Sequence, residues 1–175
     1  MTTNNNIITL HKVRSSEDED LNELGPMLEE SFRLTLKEAN MEDEDIPLPK
    51  GNDLIEAVDA GMDLLKIYAE DTLIGGALIE KKDEKANILE LLFISGKKEG
   101  KGLGTKAWKA IEDYYPEISS WETETPYFQK RNISFYINNC GFHIVEFFNK
   151  HHPKIIDGLI DEGEFFLFRK ERISK

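Results

Sequence analysis

The sequence predicts a mixed α/β (α+β) fold, in which a mostly antiparallel central sheet of about seven strands is flanked by helices. Three observations carry this expectation. Strand-like runs at residues 64–70, 73–80 and 87–95 follow one another with only short polar turns between them, the pattern of an antiparallel meander. A glycine-rich turn, EGKGLGT, comes straight after the third run. Beyond it, Leu103, Ala107, Trp108 and Ile111 form the apolar stripe of an amphipathic helix, so the middle of the chain reads as strand, phosphate-type loop, helix.

In chain order, residues 7–14 alternate well enough for an opening strand. Ser16, followed three residues later by Glu19, has the form of a capping box, which predicts a helix starting there. Leu21, Leu24, Leu28 and Phe32 continue it at helical spacing. Gly25 and Pro26 predict a kink or a break, since proline removes one helical hydrogen bond. Residues 41–51 read as an acidic loop, and a second helix is expected from about Asn52 to Gly61 with Leu54, Ile55 and Val58 inward. After the meander and the helix near Leu103, residues 118–125 read as a strand and residues 127–139 as a helix. Gly141 is expected to close that helix by taking the left-handed conformation. Two final strands, 142–148 and 164–170, are joined by a loop containing HHPK.

At 175 residues, one compact domain is expected to span residues 1–175. The net charge of -12 is concentrated, because residues 1–60 hold fifteen Asp and Glu against five Lys and Arg. Such a field repels a phosphate backbone, so no nucleic acid is expected as partner; it suits solvation or a cationic partner. No membrane role is expected, since no apolar segment approaches the roughly 20 residues that cross a bilayer. The single cysteine, Cys140, has no internal disulfide partner and is expected as a small buried hydrophobe. The chain opens without a stretch resembling a secretion signal, which makes the cytoplasm the expected compartment.

The glycine-rich turn is the strongest chemical signal. Small residues at Gly100, Gly102 and Gly104 let main-chain amides approach an anion closely, and the helix that follows adds its own N–H groups and positive dipole. Lys97, Lys98, Lys101 and Lys106 surround it in an otherwise acidic chain. Counting excludes two rivals. A Walker loop needs four residues between its first glycine and a GK pair, whereas three separate Gly96 from Gly100. The dinucleotide fingerprint G-x-G-x-x-G fails because glycines 100, 102 and 104 are evenly spaced.

The segment LELLFISGKKEGKGLGTKAW resembles motif A of the GNAT superfamily of N-acetyltransferases, whose pattern is Gln or Arg, two residues, Gly, one residue, then Gly or Ala. Gly102 and Gly104 hold the two small positions, and Glu99 stands where Gln or Arg is usual, which leaves phosphate binding to the backbone. Downstream, YFQKRNISFYINNCGF resembles motif B, with Phe135 and Tyr136 as its aromatic pair and Gly141 and Phe142 as its closing turn. The resemblance implies a sheet splayed between strands 4 and 5, and acetyl-CoA as cosubstrate with no metal. It implies a cofactor-binding set of Phe93, Ile94, Glu99, Gly100, Lys101, Gly102, Leu103, Gly104, Thr105, Gln129 and Asn132. Main-chain groups of Phe93 and Ile94 would pair with pantetheine, with the Ile94 N–H facing the developing oxyanion.

Three catalytic residues are expected on the same basis. Tyr136 would be the general acid for the departing thiolate, and Glu90 and Glu124 are the alternative general bases for an attacking primary amine, with Glu122 in reserve. The acceptor expected is a small cationic molecule or a protein amine. His151 and His152 are adjacent, which is not metal-ligand spacing on a helix. Phe147, Phe148, Phe165, Phe166 and Phe168 are expected to alternate on strands, packing the core and leaving some rings for an interface such as that of a homodimer. A non-catalytic acyl-CoA-binding or protein-docking module is the alternative reading.

Overall fold

A computed structural model describes residues 7–42, 46–98 and 102–172, and every structural statement below concerns those residues. Strand β1 (Ile8–Lys12) is followed by helices α1 (Leu21–Glu38) and α2 (Gly51–Asp59), then by β2 (Asp63–Ala69), β3 (Thr72–Lys81) and β4 (Ala86–Ile94). A short 3-10 turn, Gly96–Lys98, leads toward α3 (Leu103–Tyr114), then β5 (Ser120–Pro126) and α4 (Lys130–Asn138). The chain closes with β6 (His143–Phe148), the small strands β7 (Lys154–Ile156) and β8 (Leu159–Asp161), and β9 (Phe165–Glu171). Seven strands form one sheet in the order β1-β2-β3-β4-β5-β9-β6, while β7 and β8 form a separate hairpin.

All neighbours in the large sheet run antiparallel except β4 and β5. Those two pair in parallel only from Ala86, Asn87 and Ile88 to Ser120, Trp121 and Glu122. Beyond Ile88 they part, as expected of a sheet splayed between strands 4 and 5. Strand β9 pairs with β5 on its other edge along the full length from Ser120 to Pro126. The divergence therefore opens a gap without unravelling either strand.

Two apolar clusters bury the two faces of the sheet. On one, Trp108 of α3 stands edge-on to Trp121 of β5, with ring centroids 5.3 Å apart, and Phe142 and Phe168 close the same cluster. On the other, Leu24 and Leu28 of α1 and Leu54 of α2 pack on Leu64 and Phe93. Each such fully buried leucine contributes about 2 kcal/mol. Helix α1 departs from expectation in two ways. It starts at Leu21 and the Ser16–Glu19 box does not cap it; instead Asp18 and Asp20 accept hydrogen bonds from Lys66 Nζ at 2.9 and 2.8 Å, so part of the N-terminal acidity is neutralised internally. Of the kink or break expected at Gly25 and Pro26, the break is absent: the helix runs continuously through Pro26. Gly25 serves close packing here, because a Cβ on it would lie 2.8 Å from the Gly51 Cα of α2.

Close approach also explains Gly75 of β3. A Cβ there would fall 2.0 Å from the Phe93 carbonyl oxygen, so glycine is what lets β3 lie against the end of β4. The segment between β6 and β9, expected as a loop, contains the β7–β8 hairpin, turned at Asp157 and Gly158 with φ of 50° and 80°. No described helix is long and apolar enough to cross a membrane.

Candidate active site

The gap between β4 and β5 is the centre of the site, and local sequence shapes β4 there. Leu91 faces Leu78 and Leu89 faces Ile79, so Glu90 is the extra residue of a β-bulge. Past the bulge the ladder is regular: the Ser95 N–H donates to the Ile74 carbonyl at 2.7 Å. Alternation in an antiparallel pair then gives the main chain of Leu91 and Phe93 to β3 and turns the N–H groups of Leu92 and Ile94 toward the gap, so the expectation for Ile94 is kept while Leu92 replaces Phe93 as the second main-chain donor.

A cleft of about 290 Å³ lies beside this edge, between α1, α3 and α4. Phe93, Ile94, Gly102, Leu103, Gly104, Thr105, Gln129 and Asn132, eight of the residues singled out for cofactor binding, line it. Glu99, Gly100 and Lys101 lie outside the described residues. Gly102 precedes α3 in the left-handed conformation, φ 70°, which a side chain would strain. The N–H groups of Leu103, Gly104 and Thr105 fall in the first turn of α3, where the helix offers them no acceptor, and its dipole favours an anion. Gln129 is buried at the start of α4 and accepts a hydrogen bond from Asn132 Nδ2 at 2.7 Å. The pair shows one face to the cleft with its polar groups already oriented.

Sequence reading missed several cleft residues. Leu92 follows from the strand alternation once the bulge is known. Asn139 reaches across from the end of α4 to Thr105 Oγ1 at 3.4 Å, and Ser31 and Thr35 come from α1. Arg131 of α4 pairs with Glu38 of α1 at 3.0 Å, tying the two helices together over the cleft. No local pattern marks these residues, because they meet through the fold.

A second cavity of about 250 Å³ lies on the β5 side of the parting, lined by Glu80, Glu90, Glu122, Glu124, Thr123 and Lys154 among others. Glu90 lines this cavity, whereas Leu91, the next residue, lines the cleft. The structure brings Glu90 and Glu124 together and differentiates them from Glu122. Burial pushes the Glu90 carboxyl above the ordinary glutamate range, and neighbouring Glu80 and Glu124 add to the rise. At Glu122 burial acts in the same direction, but hydrogen bonds from Lys82 at 2.6 Å and Arg169 at 2.7 Å outweigh it and hold the carboxyl below the ordinary range. Glu122 is thus a committed ion-pair partner. Glu124 accepts from Lys154 Nζ at 2.5 Å. Lys154 was also missed, although Asp157-Gly158 between aliphatic residues is a hairpin signal that would have found its strand.

Tyr136 lies beneath the parting rather than in either cavity. It is buried against Phe142 and Phe168, and burial pushes its hydroxyl up, so it stays protonated. Thr123 lies beside that hydroxyl, and its Oγ1 donates to the Leu89 carbonyl at 2.8 Å. Thr123 thus stands between Tyr136 and the parting. Cys140 is buried, with its thiol pushed up to about 12, as suits a core residue. His152 pairs with Glu146 at 2.8 Å, and no group of three or more His, Cys, Asp or Glu among the described residues gathers as metal ligands would.

Taken chemically, the cleft offers anion-binding amides at one end and strand-like main-chain donors at the other, and the cavity behind it offers carboxylates. Comparison with known proteins gives this arrangement a family. Residues 24–142 match the Acetyltransferase (GNAT) family. The chain is 42% identical over 166 residues to the uncharacterized protein YrkN of Bacillus subtilis (strain 168), covering 89% of this chain and 90% of that one. Its fold is similar to that of a GNAT family acetyltransferase from Elizabethkingia anophelis with acetyl-CoA bound, with TM-score 0.64, 14% identity and coverage of 95% and 99% of the two chains. The PaiA N-acetyltransferase from Thermoplasma acidophilum in complex with coenzyme A gives a TM-score of 0.67 at 20% identity, covering 94% and 99%. With its family match spanning the meander, the glycine turn and α4, this chain belongs to the GNAT family of acetyltransferases.

Proposed function

We propose that the protein transfers an acetyl group from acetyl-CoA to a primary amine by direct attack in a ternary complex. The observation that carries this reading is the parting of β4 and β5 after Ile88 beside a cleft floored by the start of α3. An open strand edge and a helix N-terminus in one cleft suit a ligand that is an extended amide chain at one end and a diphosphate at the other. A structural neighbour named as an N-acetyltransferase supports nitrogen as the accepting atom.

The residues fit that donor. Gly102, Leu103, Gly104 and Thr105 would hold phosphate through main-chain N–H groups, joined by Glu99, Gly100 and Lys101, and Gln129 and Asn132 would face the pantetheine amides. Leu92 and Ile94 would pair with the donor as a strand does, with the Ile94 N–H donating to the carbonyl oxygen where charge develops. Glu90 would take a proton from the acceptor ammonium, its raised pKa making it the stronger base of the pair, and Glu124 would hold the ammonium in place. Tyr136, kept protonated by burial, would deliver a proton to the departing sulfur. The acidic cavity favours a cationic acceptor, and one domain in the cytoplasm would carry the whole reaction.

One observation favours the non-catalytic alternative, an acyl-CoA-binding module: Tyr136 is buried and lines neither cavity. Two measurements separate them. Free-thiol release across a panel of primary amines is expected to identify at least one accelerated acceptor, and calorimetry is expected to register CoA binding. Binding without release for any amine would select the module; absence of both would reject either reading.

A further inference from the structure

We propose that Lys154 is an intramolecular acetyl acceptor: the β7–β8 hairpin holds its amine in the acidic cavity at the parting of β4 and β5, in the place of an acceptor nitrogen. This rests on the acetyl-transfer reading above and goes beyond it by naming a modified residue of the chain itself.

The hairpin is unusual for its composition. Ile155 and Leu159 are 70% and 74% exposed, and Ile160 is exposed too, so its aliphatic side chains project outward. Lys154, opposite Asp161 in the hairpin register, is the side chain turned onto the main sheet. The usual preference is therefore inverted, with the charged residue inside and the apolar ones outside. Its Nζ sits 2.5 Å from Glu124 Oε2 and lines the same cavity as Glu90 and Thr123. Thr123, which lines that cavity, donates to the Leu89 carbonyl at 2.8 Å and lies beside Tyr136, the proton donor proposed above. A tethered amine beside two carboxylates at that point needs no diffusion to reach a thioester.

The step balances. The Lys154 ammonium loses one proton to a cavity carboxylate, from which it passes to solvent. The free amine then forms a C–N bond to the acetyl carbonyl as the C–S bond breaks. The second nitrogen proton ends on sulfur, so the products are N-acetyllysine, CoA thiol and one proton. The modified side chain is neutral and loses its ion pair with Glu124, which removes the tie between the hairpin and β5.

The test uses the full chain with isotopically labelled acetyl-CoA and peptide mapping. Label is expected at Lys154 at least about 10-fold faster than at exposed Lys150, at a first-order rate independent of protein concentration and suppressed by desulfo-CoA. A second readout needs no cofactor. Acetic anhydride is expected to modify Lys154 more slowly than Lys150, and Glu124→Gln is expected to speed Lys154 alone. Labelling of Lys154 no faster than Lys150, a rate that scales with protein concentration, or indifference of Lys154 to Glu124→Gln would each overturn the inference. If CoA binds and an added amine is acetylated while Lys154 stays unlabelled, this inference falls and the proposed function stands. If CoA does not bind, both fall.

Discussion

The cleft among α1, α3 and α4 is built from main-chain groups, apolar side chains and the carboxamides of Gln129, Asn132 and Asn139, whereas the cavity behind β4 is built from four glutamates and a lysine. The two share a wall one strand thick, and Glu90 and Leu91 face opposite sides of it. The difference separates two kinds of recognition. A site made of backbone depends on chain path, which small residues permit and bulky ones block. A site made of charged side chains depends on who pairs with whom: Glu122 is neutralised by Lys82 and Arg169, while Glu90 meets mainly other acids. Two glutamates of one cavity thus acquire opposite shifts.

The largest effect is expected where the backbone-built wall is tightest. Gly75→Ala puts a Cβ against the Phe93 carbonyl oxygen and should destabilise the fold by about 3 kcal/mol, read by urea denaturation. If stability barely changes, β3 and β4 are not held as described. Next comes the residue under the seam: Tyr136→Phe should lower kcat for an identified amine about 100-fold with KM little changed. An unchanged kcat would remove Tyr136 from proton delivery and leave it as core packing.

The cavity side is sharpened by two smaller, opposite effects. Glu122 has a folded pKa below its ordinary value of 4.5, so the stability it contributes is present above that value and lost as pH falls through the lower folded one. Glu122→Gln should cost about 1.5 kcal/mol at neutral pH, with the difference from wild type shrinking below about pH 4. Glu90 has the reverse sign: its contribution is full below 4.5 and lost as pH rises through the raised folded value. Glu90→Gln should therefore gain a few tenths of a kcal/mol near pH 8 and nothing near pH 4, while losing the acid limb of the rate profile. Thermal melts across pH check both; parallel curves for the two variants would show that the cavity does not distinguish its glutamates.

How legible each half was follows from the same contrast. The strands of the meander, the turn before α3 and the helix around Tyr136 are local patterns, so period and spacing found them, and the resemblance supplied the splay. Gly25 and Pro26 do not break α1, because Gly25 serves packing: α1 needs a glycine where Gly51 crosses it. The bulge at Glu90 and the exposure of the Leu92 amide require the partner strand to be known. The Lys154–Glu124 pair joins residues 30 apart in the chain, and nothing in either neighbourhood announces the other.

Donor binding depends on the free edge of β4, and amide hydrogen exchange with and without CoA reads that edge residue by residue. Added CoA should slow exchange at Leu92 and Ile94 by at least about 10-fold, while Leu91 and Phe93, already bonded to β3, change little. No protection of Leu92 and Ile94 at saturating or millimolar CoA, or protection of the other pair instead, would contradict it.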